Sequence, residues 1–89
     1  MTFNETVTLR RSAADAGVSA SAATVRCENN LVDENGSRCE IRTFLLPGHP
    51  AVFPGGEVVC DGKSYRVKSF RYCRDIGGKE KYLRIETVR

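Results

Sequence analysis

Phe53-Pro54-Gly55-Gly56-Glu57-Val58-Val59-Cys60-Asp61-Gly62-Lys63-Ser64-Tyr65-Arg66-Val67 opens a stretch that runs on to Arg89 and reads as three strands joined by two tight turns. The steps Asp61-Gly62 and Gly77-Gly78 separate β-branched and aromatic runs, and two-residue hairpin turns favour such steps because their central residues need φ > 0. The pattern predicts a three-stranded meander: Val58 to Cys60, Ser64 to Arg74, and Glu80 to Arg89. A hairpin centred on Gly77-Gly78 sets Phe70 opposite Ile85, Tyr72 opposite Leu83 and Val67 opposite Val88. The middle strand breaks parity, because Tyr65 and Val67 are odd whereas Phe70 and Tyr72 are even, and successive strand residues face opposite sides. A bulge or sharp bend near Lys68-Ser69 reconciles the two halves, and such bends close small barrels.

Upstream, Leu46 to Gly56 holds all three prolines. Pro cannot donate to a central ladder, so the segment reads as a crossover to a new strand, with its Pro/Gly-rich part at about 47–56. Before it, Ser37 to Leu46 reads as a strand with Cys39, Ile41, Thr43 and Leu45 on one face and Arg38, Glu40, Arg42, Phe44 and Leu46 on the other. The strand is polar outward at its start and apolar on both faces at its end, which calls for a covering element or partner there. Asn35-Gly36 supplies a hairpin turn before it, and Ala22 to Glu28 alternates as an earlier strand. Glu5 to Arg10 alternates Thr with Val7 and Leu9 and gives the first strand. Between these two, residues 11–21 are rich in Ala, Ser and Gly and carry too little apolar area to offset the entropy of ordering, so the segment reads as a long flexible loop. The expectation is one all-β domain over residues 1–89: an antiparallel barrel or sandwich of about six strands with a C-terminal three-stranded meander.

At 89 residues the chain has room for one thin core and not for a core plus an enclosed substrate pocket. Its net charge of +3 is uneven: residues 1–50 hold five Lys/Arg against six Asp/Glu, and residues 51–89 hold nine against five. A basic half suits nucleic acid, yet Arg66, Lys68, Lys81 and Arg84 alternate with apolar residues as the solvent face of any strand does. Cys27, Cys39, Cys60 and Cys73 are 12, 21 and 13 positions apart, too far for the close pairs of a structural zinc site. The N-terminal residues have neither a basic n-region nor an apolar h-region, so no export is expected and the thiols should stay reduced, buried as small hydrophobes. No stretch approaches the length of a membrane span, which points to a protein without membrane contact.

Nothing in the pattern assembles a catalytic centre. His49, the single histidine, sits between Gly48 and Pro50 with no acidic residue within five positions, and reads as a solvated loop residue rather than a base. Asp33, Glu34, Asp61 and Asp75 lie in or beside turns, where such residues cap the backbone. Gly55-Gly56 and Gly77-Gly78 neither open a helix nor carry the Lys and Ser/Thr of a phosphate loop. The expectation is a non-enzyme with no cofactor and no metal.

The arrangement Phe53 to Val67, then Tyr72-Cys73-Arg74-Asp75-Ile76-Gly77-Gly78-Lys79, preceded by Leu45-Leu46-Pro47, resembles the small head-closure, head-completion or minor capsid proteins encoded beside the capsid genes of tailed bacteriophages and prophages. The resemblance covers residues 44–89 and, more loosely, the early strand pair; residues 11–21 have no counterpart in it. It implies a small β-barrel that forms a ring beneath the portal and joins or seals head to tail, in the virion or in the bacterial cytoplasm when expressed from a prophage. Its implied partners are the portal or adaptor protein, tail-side connector proteins and other copies of the chain, with non-specific contact to packaged DNA. The candidate partner or DNA-channel contacts are Arg11, Asp15, His49, Phe53, Arg66, Lys68, Arg71 and Arg84. The competing reading is a stand-alone nucleic-acid-binding barrel, which rests on the basic meander and on the use of small barrels to hold single strands.

Overall fold

The computed structural model describes residues 3–32, 34–75 and 77–89, with Asn30 described in its backbone alone. Six strands make up the fold: β1 (Glu5–Arg10), β2 (Val18–Val32), β3 (Arg38–Pro47), β4 (Glu57–Cys60), β5 (Lys63–Arg74) and β6 (Lys81–Val88). They close into a barrel in the order β1-β2-β3-β6-β5-β4, every neighbour antiparallel, with β4 returning to β1. The expected all-β barrel is therefore the fold, and the meander β4-β5-β6 forms one side of its wall.

The meander follows its sequence closely except at its second turn. There the last ladder pair is Arg74 with Lys81, the Gly78 amide donates to the Asp75 carbonyl at 2.9 Å, and of the two glycines only Gly78 takes positive φ, 68°. A longer connection therefore replaces the expected two-residue Gly77-Gly78 turn. Cys60 pairs with Lys63 across Asp61-Gly62, and both turn residues take positive φ, 51° and 75°. That is the requirement of the tight turn which the Asp-Gly step meets. Phe70 pairs with Ile85 and Tyr72 with Leu83, and the ladder shifts by one residue between Val67 and Ser69, where the parity break places a bulge. One pairing differs from expectation: Val67 lies opposite Thr87, and Arg66 takes Val88. The bulge itself is the cause, because its extra residue moves every partner below it along by one. Tyr65, Val67, Leu83 and Ile85 are all buried as a result, and Phe70 packs against them.

β2 departs most from its sequence reading. It starts at Val18, so residues 18–21, expected within a flexible loop, pair with Ser21's and Val18's partners Thr6 to Leu9 on β1, and the connection shrinks to residues 11–17. The small side chains that argued against order are what the barrel requires here. Ala22 is fully buried, Ala20 packs on the core, and Phe44 and Tyr65 supply the bulk, their rings meeting edge to face at 5.7 Å. Small residues opposed to large ones fit a narrow barrel interior. At its other end β2 runs to Val32, beyond the expected Glu28, and irregularities at Thr24/Arg26 and Glu28/Leu31 bend it from β1 onto β3.

β3 includes Pro47, paired with Tyr82, so the crossover begins at Gly48. The crossover carries the chain over one mouth of the barrel to β4. It ends on Gly56, where a Cβ would lie 2.7 Å from the Arg10 carbonyl oxygen and 2.9 Å from that of Phe53. Only glycine passes so close to backbone, and there the Gly56 carbonyl accepts from the Val67 amide and extends the β4–β5 ladder.

Candidate functional site

The barrel gathers the candidate contacts into two surfaces and leaves a third, polar feature in its interior. At the mouth that holds the 11–17 and 48–56 connections, the Arg11 guanidinium lies 4.7 Å from the centre of the Phe53 ring. Asp15 builds this end from within: its carboxylate accepts from the Arg11 and Gly17 amides at 2.9 and 3.2 Å. Those two amide bonds, with a smaller contribution from the nearby Arg11 charge, hold the Asp15 carboxyl below its ordinary range. Arg11, Asp15, Phe53 and the exposed Val18 line a groove of about 610 Å³. His49 stands apart from them over β5, its Nε2 3.0 Å from the Cys73 carbonyl oxygen and its ring edge-on to Tyr72 at 5.0 Å. Tyr72 in turn donates to the Pro50 carbonyl, so the crossover is pinned to the upper end of β5.

The second surface is the outer face of the β5–β6 ribbon. Arg66, Lys68 and Arg71 are exposed along β5, and Arg84 sits on β6 directly opposite Arg71. Like charges placed directly opposite on a sheet are unfavourable. The ion pairs among the described residues are Arg10–Glu57, Arg26–Glu28, Arg42–Glu5 and Arg89–Glu40, and none of these four cations takes part in one.

The interior feature was not singled out from the sequence. Arg42 and Glu40 share the inward face of β3 with Phe44 and Leu46, so the start of this strand is not polar toward solvent alone. Within the mouth opposite the 48–56 crossover, Arg42 donates to Glu5 at 2.6 Å, to Thr24 at 2.9 Å and to the Tyr65 hydroxyl at 3.2 Å. The Tyr65 hydroxyl donates onward to Glu40 at 2.9 Å. Burial pushes the Glu40 carboxyl up, but the hydrogen bonds from Tyr65 and Cys27 and the Lys63 and Arg89 charges outweigh it and hold the group low. No described buried side-chain polar atom lacks a hydrogen-bond partner, so the network is a satisfied plug in the barrel mouth. The sequence signal was present, since Arg42 has the same parity as Phe44 and Leu46.

Glu5, Cys60 and Asp61 bring one ligand atom each within 4.8 Å of one another. Both Glu5 oxygens are already bonded, one to the Arg42 guanidinium and one to Thr24, so its carboxylate is already neutralised by a cation. Burial also pushes the Cys60 thiol up, away from the thiolate a metal would need. The four cysteines are all free thiols, but only Cys60 is buried. Cys39 and Cys73 are half-buried and Cys27 is exposed, correcting the expectation that all four fill the core. Cys27 lies where β2 has run past the end of β1 and has β3 alone beside it.

Among the described residues no helix is long and apolar enough to cross a membrane. No protein-family model, curated protein or solved structure matches the chain.

Proposed function

We propose that the chain is a structural assembly module, a head-tail connector of a tailed phage or prophage that packs as a ring subunit beneath the portal. The observation that carries this reading is the grouping of the two irregular connections over one mouth of a closed barrel, with Arg11 set on Phe53 and the crossover pinned through Pro50 to Tyr72. A rigid scaffold that presents composed loops at one end is suited to contact neighbours, and loops held in this way carry recognition while the barrel supplies stiffness. The residue pattern from Leu45 to Lys79 gives the phage context. In this reading the 11–17 and 48–56 segments meet the portal or adaptor ring, neighbouring copies complete the ring, and the chain performs no catalysis.

The test is complementation. Heads assembled without this chain should leak DNA and fail to join tails, and adding the purified chain should restore both. Heads that keep their DNA and accept tails without it refute the reading.

A further inference from the structure

The β5–β6 ribbon holds more positive charge than a solvated strand face requires, and holds it in an unfavourable arrangement. Residues 63–89 contain nine Lys/Arg against three Asp/Glu. Two like-charge pairs stand directly opposite on this one hairpin, Arg71 with Arg84 on the outward face and Arg74 with Lys81 on the other, so only the first belongs to the outer surface. Repulsion of this kind weakens a sheet, and a single exchange to an acid would relieve it. Glu86, the acid nearest the first pair along β6, sits opposite Ser69 and within 3.4 Å of its hydroxyl, and forms no ion pair with either arginine.

The surroundings of Arg71 and Arg84 indicate what would neutralise them. A groove of about 400 Å³ runs beside the pair, and its walls include Phe3, Leu45 and Tyr82. Tyr82 is opposite Cys73, on the same outward face as the two arginines. Cations beside partly exposed aromatic rings match the needs of a single nucleic-acid strand, whose phosphates seek charge and whose unpaired bases seek a ring to stack on. Asp75 and Glu80 line the end of the groove nearest the β5–β6 turn. In the other direction, toward Lys68 and Arg66, the outward face carries the single acid Glu86 opposite Ser69, so the cations outnumber the acids on that side.

We propose that this outer face binds single-stranded nucleic acid, its phosphates on Arg84, Arg71, Lys68 and Arg66 and a base against Tyr82 or Phe3. The site is separate from the loop-bearing mouth, so it stands or falls independently of the connector reading: a chain that assembles normally with these cations replaced loses the binding site and keeps the assembly role.

The test is fluorescence anisotropy of labelled oligo-dT and oligo-U with the full chain across a salt series, with poly-glutamate as competitor. Four neutralised phosphates give a slope of log affinity on log salt of about −3, at about −0.7 per phosphate for single strands. Arg71→Glu should weaken binding about tenfold or more and flatten the slope, as expected for a lost charge-assisted contact. It should also raise the thermal midpoint, since the new carboxylate faces Arg84, and a purely structural arginine would not show that combination. Arg71→Gln provides the same reading without adding a charge. Binding that survives Arg71→Gln with Arg84→Gln overturns the proposal, and so does poly-glutamate displacing the oligonucleotide at equal charge concentration.

Discussion

Tyr65→Phe tests whether the polar plug in the barrel mouth holds the fold together. The substitution keeps the ring, which is fully buried and set edge-on to Phe44, and removes one oxygen. Arg42 loses an acceptor at 3.2 Å and Glu40 a donor at 2.9 Å. Stranding buried partners costs about 1–3 kcal/mol. Water can reach both partners in part, since their side chains retain 12% and 15% of their exposure, which places the expected loss in the lower part of that range, about 1–2 kcal/mol. For a domain of this size that is a fall in thermal midpoint of about 4–16 °C. The pH dependence has a defined sign. The folded Glu40 carboxyl lies below its ordinary 4.5, so its contribution is fully present above that pH and is lost as pH falls through the folded value. Removing the Tyr65 hydroxyl takes away one of the bonds that hold it low while the burial that pushes it up remains. The difference between wild type and variant is therefore largest near neutral pH and narrows on acidification. Urea unfolding at a series of pH values, with a double-mutant cycle against Glu40→Gln, measures both effects. A loss below about 0.5 kcal/mol at neutral pH, the range of ordinary surface changes, or a gap that widens in acid, refutes the reasoning.

Gly56→Ala should cost about 1–3 kcal/mol, because its Cβ would meet two backbone carbonyls that cannot yield. Gly77→Ala, whose Cβ would meet nothing closer than 3.8 Å, serves as its control and should stay within about 0.5 kcal/mol in the same urea series. Deleting Ser69 lets Lys68 take its place opposite Glu86, so cross-strand NMR contacts between Val67 and Thr87 and between Phe70 and Ile85 should survive. The bend is lost, and the thermal midpoint should drop; changed partners on either side would disprove the bulge as a single extra residue. Thiol titration of the native protein should find four free thiols, Cys27 reacting first and Cys60 last, whereas rapid modification of Cys60 would contradict its burial.

Much of the architecture was readable without coordinates. Asp61-Gly62 imposed its turn because few other dipeptides tolerate two positive φ angles in succession, and the parity break between Val67 and Phe70 located the bulge because a strand has only two faces. These are local constraints, satisfied within a few residues of where they are written. The candidate contacts were legible as residue types, but their grouping was not. Arg66, Lys68, Arg71 and Arg84 could be assigned to the outside by alternation, yet that Arg71 opposes Arg84 with no ion pair depended on the register of two strands and on what the rest of the barrel placed beside them.

The sequence by itself determined the strands of the meander, its Asp61-Gly62 turn, its bend and the all-β class, since each follows from backbone conformations that only particular residues adopt. Tertiary structure alone decided the rest, because burial belongs to the closed barrel and not to any segment. Ala20 and Ala22 became wall residues when Phe44 and Tyr65 filled the space before them. Arg42 and Glu40 became an interior plug when Glu5, Thr24 and Tyr65 arrived from other strands to satisfy them, and Cys27 stayed exposed when β1 ended before reaching it.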